Sequence, residues 1–176
     1  MASRVAEPAR KAPRAPGRER GLPPVVDART RVLILGSFPG VASLAARQYY
    51  AHPRNHFWPI LAALLGEPLN EMPYAARLAR IAACGVGVWD IIVACHRKGS
   101  SDAAIRDAER GDVKRIADIA RSLVVVGFNG NTAASAEPVW RDAGYATLRL
   151  PSTSPAYTRP FAEKLEGWRA LGRYLR

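Results

Sequence analysis

Four short runs rich in β-forming residues, most of them apolar, recur along the chain, and longer stretches with helical spacing separate them. Continuous apolar runs of about five residues are typical of strands that are buried on both faces. The predicted strands cover residues 31–35, 86–92, 122–126 and 145–149. Because strands that alternate with helices form parallel sheets, the pattern predicts an α/β domain with helices on both faces of the sheet.

The stretches with helical spacing lie at about 56–66, 73–83, 112–121, 130–143 and 160–175. The last of them carries one apolar stripe, formed by Phe161, Leu165, Trp168, Leu171 and Leu175. The chain has no internal repeat and no sign of a second folded domain.

Glycine-rich or polar segments follow the predicted strands. They lie at 36–40, at Asp90, at 127–130 and at 151–155. Parallel strands end at one edge of their sheet, and open α/β sheets bind ligands at that edge. The sequence therefore predicts a single binding site built from all four segments.

Charge suggests a partner for this site. The 176 residues include 26 Lys and Arg against 15 Asp and Glu, so the formal net charge is +11 and the pI is about 10.5. Residues 1–21, rich in Ala, Pro and Arg, are predicted to form a disordered basic arm before a folded domain at 22–176. The domain keeps a net charge of +7, which favours a polyanion, although a merely solvated basic surface would look the same.

Several classes of protein are not expected. No stretch approaches the roughly 18 apolar residues of a membrane span, and residues 1–21 lack the apolar run of a secretory signal, so we expect a cytoplasmic protein. Cys84 and Cys95 are too few for a disulfide framework. His52 and His56 have the spacing of a metal-binding pair, but Pro53 interrupts it and no third ligand is near. Neither a metal nor another cofactor is predicted.

The Gly-Ser-Phe-Pro-Gly motif at 36–40 follows the first predicted strand. Glycines at both ends let backbone amides approach a ligand closely, which would form a small cradle for an anion or a carbonyl oxygen. A tight turn from strand to helix is the alternative interpretation. The motif is neither a P-loop nor the dinucleotide-binding fingerprint.

Residues 48–58 combine four aromatic side chains with two histidines, an arginine, a glutamine and an asparagine. Aromatic residues interleaved with basic ones are typical of surfaces that stack on bases beside phosphate contacts. Alternatively, Phe57 and Trp58 anchor the following helix in the core. Both interpretations hold if Trp58 lies in the core and Phe57 or a tyrosine lies in the site.

These motifs resemble those of a known family. Gly-Ser-Phe-Pro-Gly followed by Gln-Tyr-Tyr-Ala-x-Pro-Arg-Asn-x-Phe-Trp resembles the hypoxanthine-DNA (deoxyinosine) glycosylase branch of the uracil-DNA glycosylase superfamily. Asn-His-Phe-Trp at 55–58 is similar to the mismatch-specific uracil/thymine-DNA glycosylases, and Phe-Asn-Gly at 128–130 to thymine-DNA glycosylase. Pro-Ser-Thr-Ser-Pro-Ala at 151–156 matches the superfamily's Pro-Ser-x-Ser loop. The resemblance runs in order from about Gly21 to the C-terminus.

The resemblance implies a three-layer α/β/α fold with a central four-stranded parallel sheet. It also implies that the loop at 36–40 cradles a flipped base, that Phe57 stacks on the base and that Asn129 reads its edge. The base-binding residues expected on this basis are Gly36, Ser37, Phe38, Gly40, Phe57 and Asn129.

DNA contacts are implied by the same resemblance. The loop at 152–157 would enter the minor groove, with its serines on phosphates and its apolar tip filling the gap left by the flipped base. The residues expected to contact DNA are Tyr50, His52, Arg54, Ser152, Thr153, Ser154, Pro155, Ala156 and Tyr157.

The catalytic residue is where this chain departs from the uracil- and thymine-specific enzymes that it resembles. Phe38 stands where they have a catalytic Asn or Asp, and a phenyl ring cannot position water. The resemblance implies Asn55 instead, whose alternative role is to cap the following helix. Asp90 is the second candidate, although a carboxylate there also caps turns. Because an amide has no useful pKa, Asn55 would orient the water rather than take its proton.

The expected function is that of a monofunctional DNA glycosylase, which flips a deaminated base out of damaged DNA and hydrolyses its N-glycosidic bond. Hypoxanthine is the first expected base and uracil the second. We expect a monomer in the cytoplasm, associated with the nucleoid, with no metal, cofactor or membrane. The alternatives are a DNA-lesion recognition module that lost catalysis, and an unrelated α/β domain that acts on free purine nucleosides.

Overall fold

Each of the four predicted strands overlaps a strand of one parallel sheet in the computed structural model, which describes residues 17–175. The third begins at Val125 rather than at residue 122. The strands along the chain are β1 (Glu19–Arg20), β2 (Val32–Gly36), β3 (Val86–Asp90), β4 (Ile92–His96), β5 (Arg106–Arg110), β6 (Val125–Asn129) and β7 (Ala146–Leu150). The parallel sheet has the order β3-β2-β6-β7. The predicted four-stranded parallel sheet is confirmed.

The helices connect these strands. The α-helices of the described residues are α1 (Val41–Ala46), α2 (Phe57–Leu65), α3 (Tyr74–Ala83), α4 (Val113–Ile119), α5 (Asn131–Ala134), α6 (Glu137–Asp142) and α7 (Phe161–Trp168). Short 3₁₀ helices follow at Leu69–Glu71, Asp102–Ala104 and Arg169–Tyr174.

The parallel sheet separates two hydrophobic clusters. Leu33 of β2 packs in a cluster that contains Trp140 of α6, whereas the next residue, Ile34, packs in one that contains Phe57 of α2 and Trp168 of α7. Consecutive side chains of a strand point to opposite faces of the sheet. The helices therefore form two layers, one on each face, as the three-layer prediction requires.

The register of the sheet aligns the ends of its strands. Gly36 at the end of β2 pairs with Asp90 at the end of β3. On the other side, Leu35 pairs with Phe128, one residue before Asn129 at the end of β6. The polar residues that end or follow these strands consequently meet at one edge of the sheet.

A second, antiparallel sheet has the order β1-β4-β5, and the apolar pattern does not predict it. The predicted strand at 86–92 is interrupted at Ile91, whose N–H donates to the Gly36 carbonyl at 2.9 Å and whose carbonyl accepts from Gly111 N–H at 3.0 Å. Strand β4 begins at the next residue and pairs with β1 and β5. All five residues of β5 are exposed, so this strand lacks the apolar alternation that identifies strands in a sequence.

Two of the predicted helices are also interrupted. The stretch at 130–143 forms α5 and α6, and Pro138 lies in the first turn of α6. Proline suits a first turn because the N–H that it lacks would have no partner there, so it marks a new helix start. The stretch at 160–175 is α-helical only to Trp168 and continues as a 3₁₀ helix.

The folded domain begins earlier than predicted. Glu19 and Arg20 of the expected arm form β1 and pair with β4, and the Gly21 N–H donates to the Val93 carbonyl at 2.8 Å. The boundary between residues 21 and 22 is therefore wrong by a few residues, because two strand residues without apolar character give no sequence signal. Residues 1–16 of the predicted arm lie outside the described residues.

Two further findings concern residues 17–175. Within them, no helix is both long and apolar enough to cross a membrane. Among the same residues, His, Cys, Asp and Glu side chains nowhere form a group of three that could hold a metal ion.

The boundary can be tested with two truncated proteins. Removal of residues 1–21 deletes β1 and the pairing of Gly21, whereas removal of residues 1–16 retains them. We expect the longer truncation to lower the free energy of unfolding by about 1–3 kcal/mol relative to the shorter one, as measured by urea denaturation. Equal stabilities would show that β1 contributes nothing to the domain.

Candidate active site

A cavity of about 680 Å³ opens at the carboxyl edge of the parallel sheet. Its volume is within the range of about 300–1,000 Å³ that is usual for small-molecule sites. The predicted site residues on its wall are Gly36, Ser37, Phe38, Gly40, Tyr50, His52, Asn55, Asp90, Asn129 and every residue of the loop 152–157. The structure thus brings together all the predicted site residues except Arg54 and Phe57.

Gly36 permits a close approach of two polar side chains. A Cβ atom at this position would overlap Asp90 Oδ1 and would lie 3.0 Å from the Tyr50 hydroxyl oxygen. Any larger residue would therefore push the carboxylate and the hydroxyl away from the end of β2. The glycine that opens the 36–40 motif is required by this crowding.

A buried arginine supports the loop 36–40. Arg97 is only 3% exposed; its Nη2 donates to the Pro39 carbonyl, and its guanidinium carbon lies 4.7 Å from the centre of the Phe38 ring. The Glu19 carboxylate of β1 lies 3.8 Å from the same Nη2. Phe38 is consequently held in the cavity wall, where a phenyl ring can pack on a base but cannot activate water.

The segment between β4 and β5 also lines the cavity, and sequence reasoning missed it. The Ser37 hydroxyl donates to Asp102 Oδ1 at 2.9 Å, and the Ser100 hydroxyl accepts from Val41 N–H at 2.9 Å. No recognisable motif marks these residues. Only the packing of the small sheet against the loop 36–40 identifies them.

Phe57 does not line the cavity, so its predicted role as the residue that stacks on the base is wrong in this structure. The side chain is fully buried, and Tyr50 stacks on it with 3.7 Å between ring centres and 16° between ring planes. Tyr50 has a left-handed backbone (φ 54°) and lines the cavity itself. The apolar stripe of α2, which begins at Phe57, is the signal that correctly favoured a core position.

Asn55 lies in the cavity wall and also caps α2. Its Oδ1 accepts a hydrogen bond from Phe57 N–H at 3.0 Å, as a residue at the start of a helix commonly does. Its Nδ2 makes no hydrogen bond with the residues that the structure describes. Both proposed roles of Asn55 are therefore compatible with one conformation of the side chain.

Asp90 is the buried carboxyl group of the site. It is 4% exposed, and its Oδ2 has no hydrogen-bond partner within residues 17–175. Burial raises the pKa of Asp90 to about 7, with a further increase from the Asp102 carboxylate and an opposing effect of Arg97. A carboxyl group that titrates near neutral pH can hold or release a proton under working conditions, which is typical of functional sites.

Asn129 and Thr153 join β6 to the loop 152–157. Asn129 Oδ1 accepts from Thr153 N–H and Asn129 Nδ2 donates to Thr153 Oγ1, both at 2.9 Å. Thr153 is fully buried, and its carbonyl accepts from His56 N–H at 3.0 Å. Thr153 is therefore a structural residue rather than the DNA contact that we predicted. The Asn129 amide already makes one hydrogen bond at each of its two polar atoms.

The other residues of the loop 152–157 are partly or fully exposed, and Lys164 supports the loop from inside. The buried amine of Lys164 donates to the Ser154 carbonyl at 3.2 Å and lies 5.4 Å from the centre of the Tyr157 ring. Tyr157 is 40% exposed and Ala156 is exposed, so the apolar tip is available to a partner. Arg54, although absent from the cavity wall, is exposed near its rim, where its N–H donates to His52 Nδ1 at 3.1 Å.

Three layers with a cavity at the strand ends are typical of α/β domains that bind ligands through the loops at that edge of the sheet. Within that class, the chain belongs to the uracil DNA glycosylase superfamily, because the sequence model of that family matches residues 23–172.

Individual relatives agree with this family. Proteins named hypoxanthine DNA glycosylase from Methanosarcina barkeri and Methanosarcina acetivorans are 39% and 37% identical to the chain. The first alignment covers 86% of this chain and 96% of the relative, and the second covers 89% and 99%. The solution NMR structure of a candidate uracil DNA glycosylase from Methanosarcina acetivorans has a TM-score of 0.80 at 36% identity, covering 90% of this chain and 98% of that one. The predicted family and fold are confirmed.

The raised pKa of Asp90 predicts a pH-dependent stability. Between about pH 4 and pH 7 the unfolded chain releases the Asp90 proton while the folded chain retains it, so ionisation opposes folding as the pH rises. Relative to Asp90→Asn, the wild type should lose on the order of 1–4 kcal/mol of unfolding free energy between about pH 4.5 and pH 8. Urea denaturation at both pH values measures this difference, with exposed Asp118→Asn as the control. If the difference in unfolding free energy between the wild type and Asp90→Asn does not change with pH, the pKa of Asp90 is not raised.

Thr153→Val tests the link between β6 and the loop. The substitution keeps the shape of the side chain but removes the acceptor of Asn129 Nδ2, which should lower the free energy of unfolding by about 1–3 kcal/mol. Thr158→Val, at an exposed position a few residues later, should change stability much less. Equal losses in the two variants would mean that the hydroxyl of Thr153 is unimportant.

Proposed function

We propose that this chain is a monofunctional DNA glycosylase that removes hypoxanthine from deoxyinosine in DNA, with uracil as a second substrate. The observation that carries the proposal is the convergence of all four sequence motifs on one cavity at the carboxyl edge of the sheet. The names of the two curated relatives, which align over nearly their full lengths, support hypoxanthine as the base.

The proposed reaction is a hydrolysis. A water oxygen bonds to C1′ of the deoxyribose, the bond from C1′ to N9 of hypoxanthine breaks, and one water proton passes to the departing base. The products are free hypoxanthine and an abasic site. Backbone amides of the loop 36–40 would stabilise negative charge on the base oxygen, and one such donor is typically worth on the order of 10²–10³ in rate.

Asn55 is the residue that we propose to orient the water. The Nδ2 group, which has no hydrogen-bond partner among residues 17–175, and the unused lone pair of Oδ1 suit a polar molecule in the cavity. Asp90 remains the alternative because a carboxyl group that titrates near pH 7 can accept the water proton. The two roles differ in their pH dependence, since an amide does not titrate.

The reaction requires that the base leave the helix, because the glycosidic bond of a stacked nucleotide is inaccessible to the cavity. The exposed tip of the loop 152–157, with Ala156 and Tyr157, is suited to enter the space that the base vacates. The net charge of +11 favours the DNA backbone as a partner. We further propose that the protein acts as a cytoplasmic monomer.

A second candidate function is lesion recognition without cleavage. The observation that favours it is the hydrogen bond from Phe57 N–H to Asn55 Oδ1, which gives Asn55 a structural task that needs no catalysis. Tight binding to inosine-containing DNA, with no abasic product after hours, would support this function.

Substitution of Asn55 tests the proposed mechanism. We expect Asn55→Ala to reduce single-turnover cleavage of inosine-containing DNA by at least about 10²-fold while binding is largely retained. The readout is a gel of alkali-labile breaks in matched oligonucleotides that contain inosine, uracil or xanthine, together with fluorescence anisotropy for binding.

The control for folding is Asn55→Asp, which keeps an oxygen acceptor for Phe57 N–H and therefore the helix cap. If Asn55→Ala loses cleavage only to the extent that it is unfolded, Asn55 has a capping role alone. Full cleavage by Asn55→Ala would remove it from the mechanism and leave Asp90.

A further inference from the structure

Two buried polar atoms beside the end of β2 lack hydrogen-bond partners in the part of the chain that the structure describes. The Tyr50 hydroxyl oxygen and Asp90 Oδ2 are both buried without a hydrogen bond within residues 17–175. Buried polar groups are nearly always paired, so such atoms in one cavity wall call for a ligand. The Asn129 amide differs from them because Thr153 engages both of its ends.

The two groups are neighbours in space. A Cβ atom on Gly36 would contact both the Asp90 carboxylate and the Tyr50 hydroxyl, so both lie beside the same backbone atom. Electrostatics agrees, because burial and the Asp90 carboxylate raise the pKa of Tyr50, against a smaller opposing effect of the Asn129 amide. Tyr50 therefore remains a hydroxyl at neutral pH and can donate a proton.

Both side chains are held in place by the fold. Asp90 lies opposite Gly36 in the β2–β3 register, and the Tyr50 ring is stacked on buried Phe57. Tyr50 also has a left-handed backbone, an unfavourable conformation that often persists at ligand sites. The result is a rigid pair of one hydrogen-bond donor and one acceptor.

We propose that Tyr50 and Asp90 read the lactam edge of the flipped base. In this arrangement the Tyr50 hydroxyl donates to the C6 carbonyl oxygen of hypoxanthine, and the Asp90 carboxylate accepts from N1–H. The inference rests on the proposed function, because it requires a base in the cavity. Asp90 then determines the specificity for the base. The pair, rather than Asn129 as the sequence resemblance implied, reads the edge of the base.

The pair separates hypoxanthine from adenine, the base from which it arises by deamination. Adenine presents an N1 lone pair in place of N1–H, so Asp90 in its ionised form would face another acceptor and lose its hydrogen bond. A Tyr hydroxyl can donate or accept, so Tyr50 discriminates less than Asp90. Guanine carries the same lactam edge as hypoxanthine, and its stable pairing with cytosine opposes flipping.

The test uses 1-methylhypoxanthine, which keeps the carbonyl but has no N1–H. We expect the wild type to cleave it about 10–100-fold more slowly than hypoxanthine in the same single-stranded oligonucleotide under single-turnover conditions, since a hydrogen bond to a charged group is lost. In Asp90→Asn this ratio should fall below about 5, because a neutral amide oxygen accepts from N1–H more weakly than a carboxylate does. A ratio that Asp90→Asn leaves unchanged would overturn the proposal.

Matched variants distinguish recognition of the base edge from a role in catalysis and from unspecific effects of substitution. Tyr50→Phe should slow the cleavage of hypoxanthine and of 1-methylhypoxanthine by a similar factor of about 10, because both bases retain the carbonyl oxygen to which Tyr50 donates. Asp118→Asn and Tyr145→Phe, which lie outside the cavity wall, control for the loss of a carboxylate and of a hydroxyl. If Asp90 acted as the general base instead, Asp90→Asn would slow both substrates equally and leave their ratio at the wild-type value.

Binding distinguishes failure of this inference from failure of the proposed function. Oligonucleotides with a 2′-fluoro sugar resist glycosidic cleavage, and their affinities can be compared for hypoxanthine and 1-methylhypoxanthine. A preference of about 10-fold or more for hypoxanthine, lost in Asp90→Asn, would support the reading pair even in a protein that cleaves neither base. Cleavage of hypoxanthine together with equal affinity for the two analogues would reject the pair and retain the glycosylase.

Discussion

The in-register pairing of β2 with β3 and β6 is the constraint on which the site depends. It sets Gly36 opposite Asp90 and ends β6 at Asn129, so three polar strand ends converge without a long connecting loop. Parallel pairing requires helices between the strands, and these helices supply both hydrophobic layers. A shift of one residue in this register would reverse every side chain of β2 between the two cores and would separate Gly36 from Asp90.

Around this edge, the protein stabilises an unfavourable set of buried polar groups. Asp90 is buried, and so is Arg97, which donates to the Pro39 carbonyl and has a more distant carboxylate in Glu19. Such groups cost free energy when they are buried without full compensation. The well-packed layers on each side of the sheet offset that cost, and the cavity retains polar groups that can respond to a ligand.

Particular residues show why the sequence predicted some of the site and missed the rest. The loops at 36–40 and 151–156 carry ordered motifs next to strands, so their convergence could be predicted from strand direction alone. Phe57 belongs both to a segment of aromatic and basic residues, which predicts a binding site, and to the apolar stripe of a helix, which predicts a core position. In the structure it lies in the core, where Tyr50 stacks on it. Thr153 looked like one hydroxyl among three in an exposed loop, and only its hydrogen bonds to Asn129 reveal a structural role.

The sequence by itself determined the four parallel strands, the α/β class, the family and the edge of the sheet where the site lies, because these depend on local periodicity and on short ordered motifs. Only the tertiary structure decided which polar atoms remain without partners. That property depends on residues that are far apart in the chain, such as Arg97, which lies against Phe38, and Tyr50 and Asp90, which both approach Gly36. No local pattern encodes such contacts, since each residue type is common and its role depends on what packs against it.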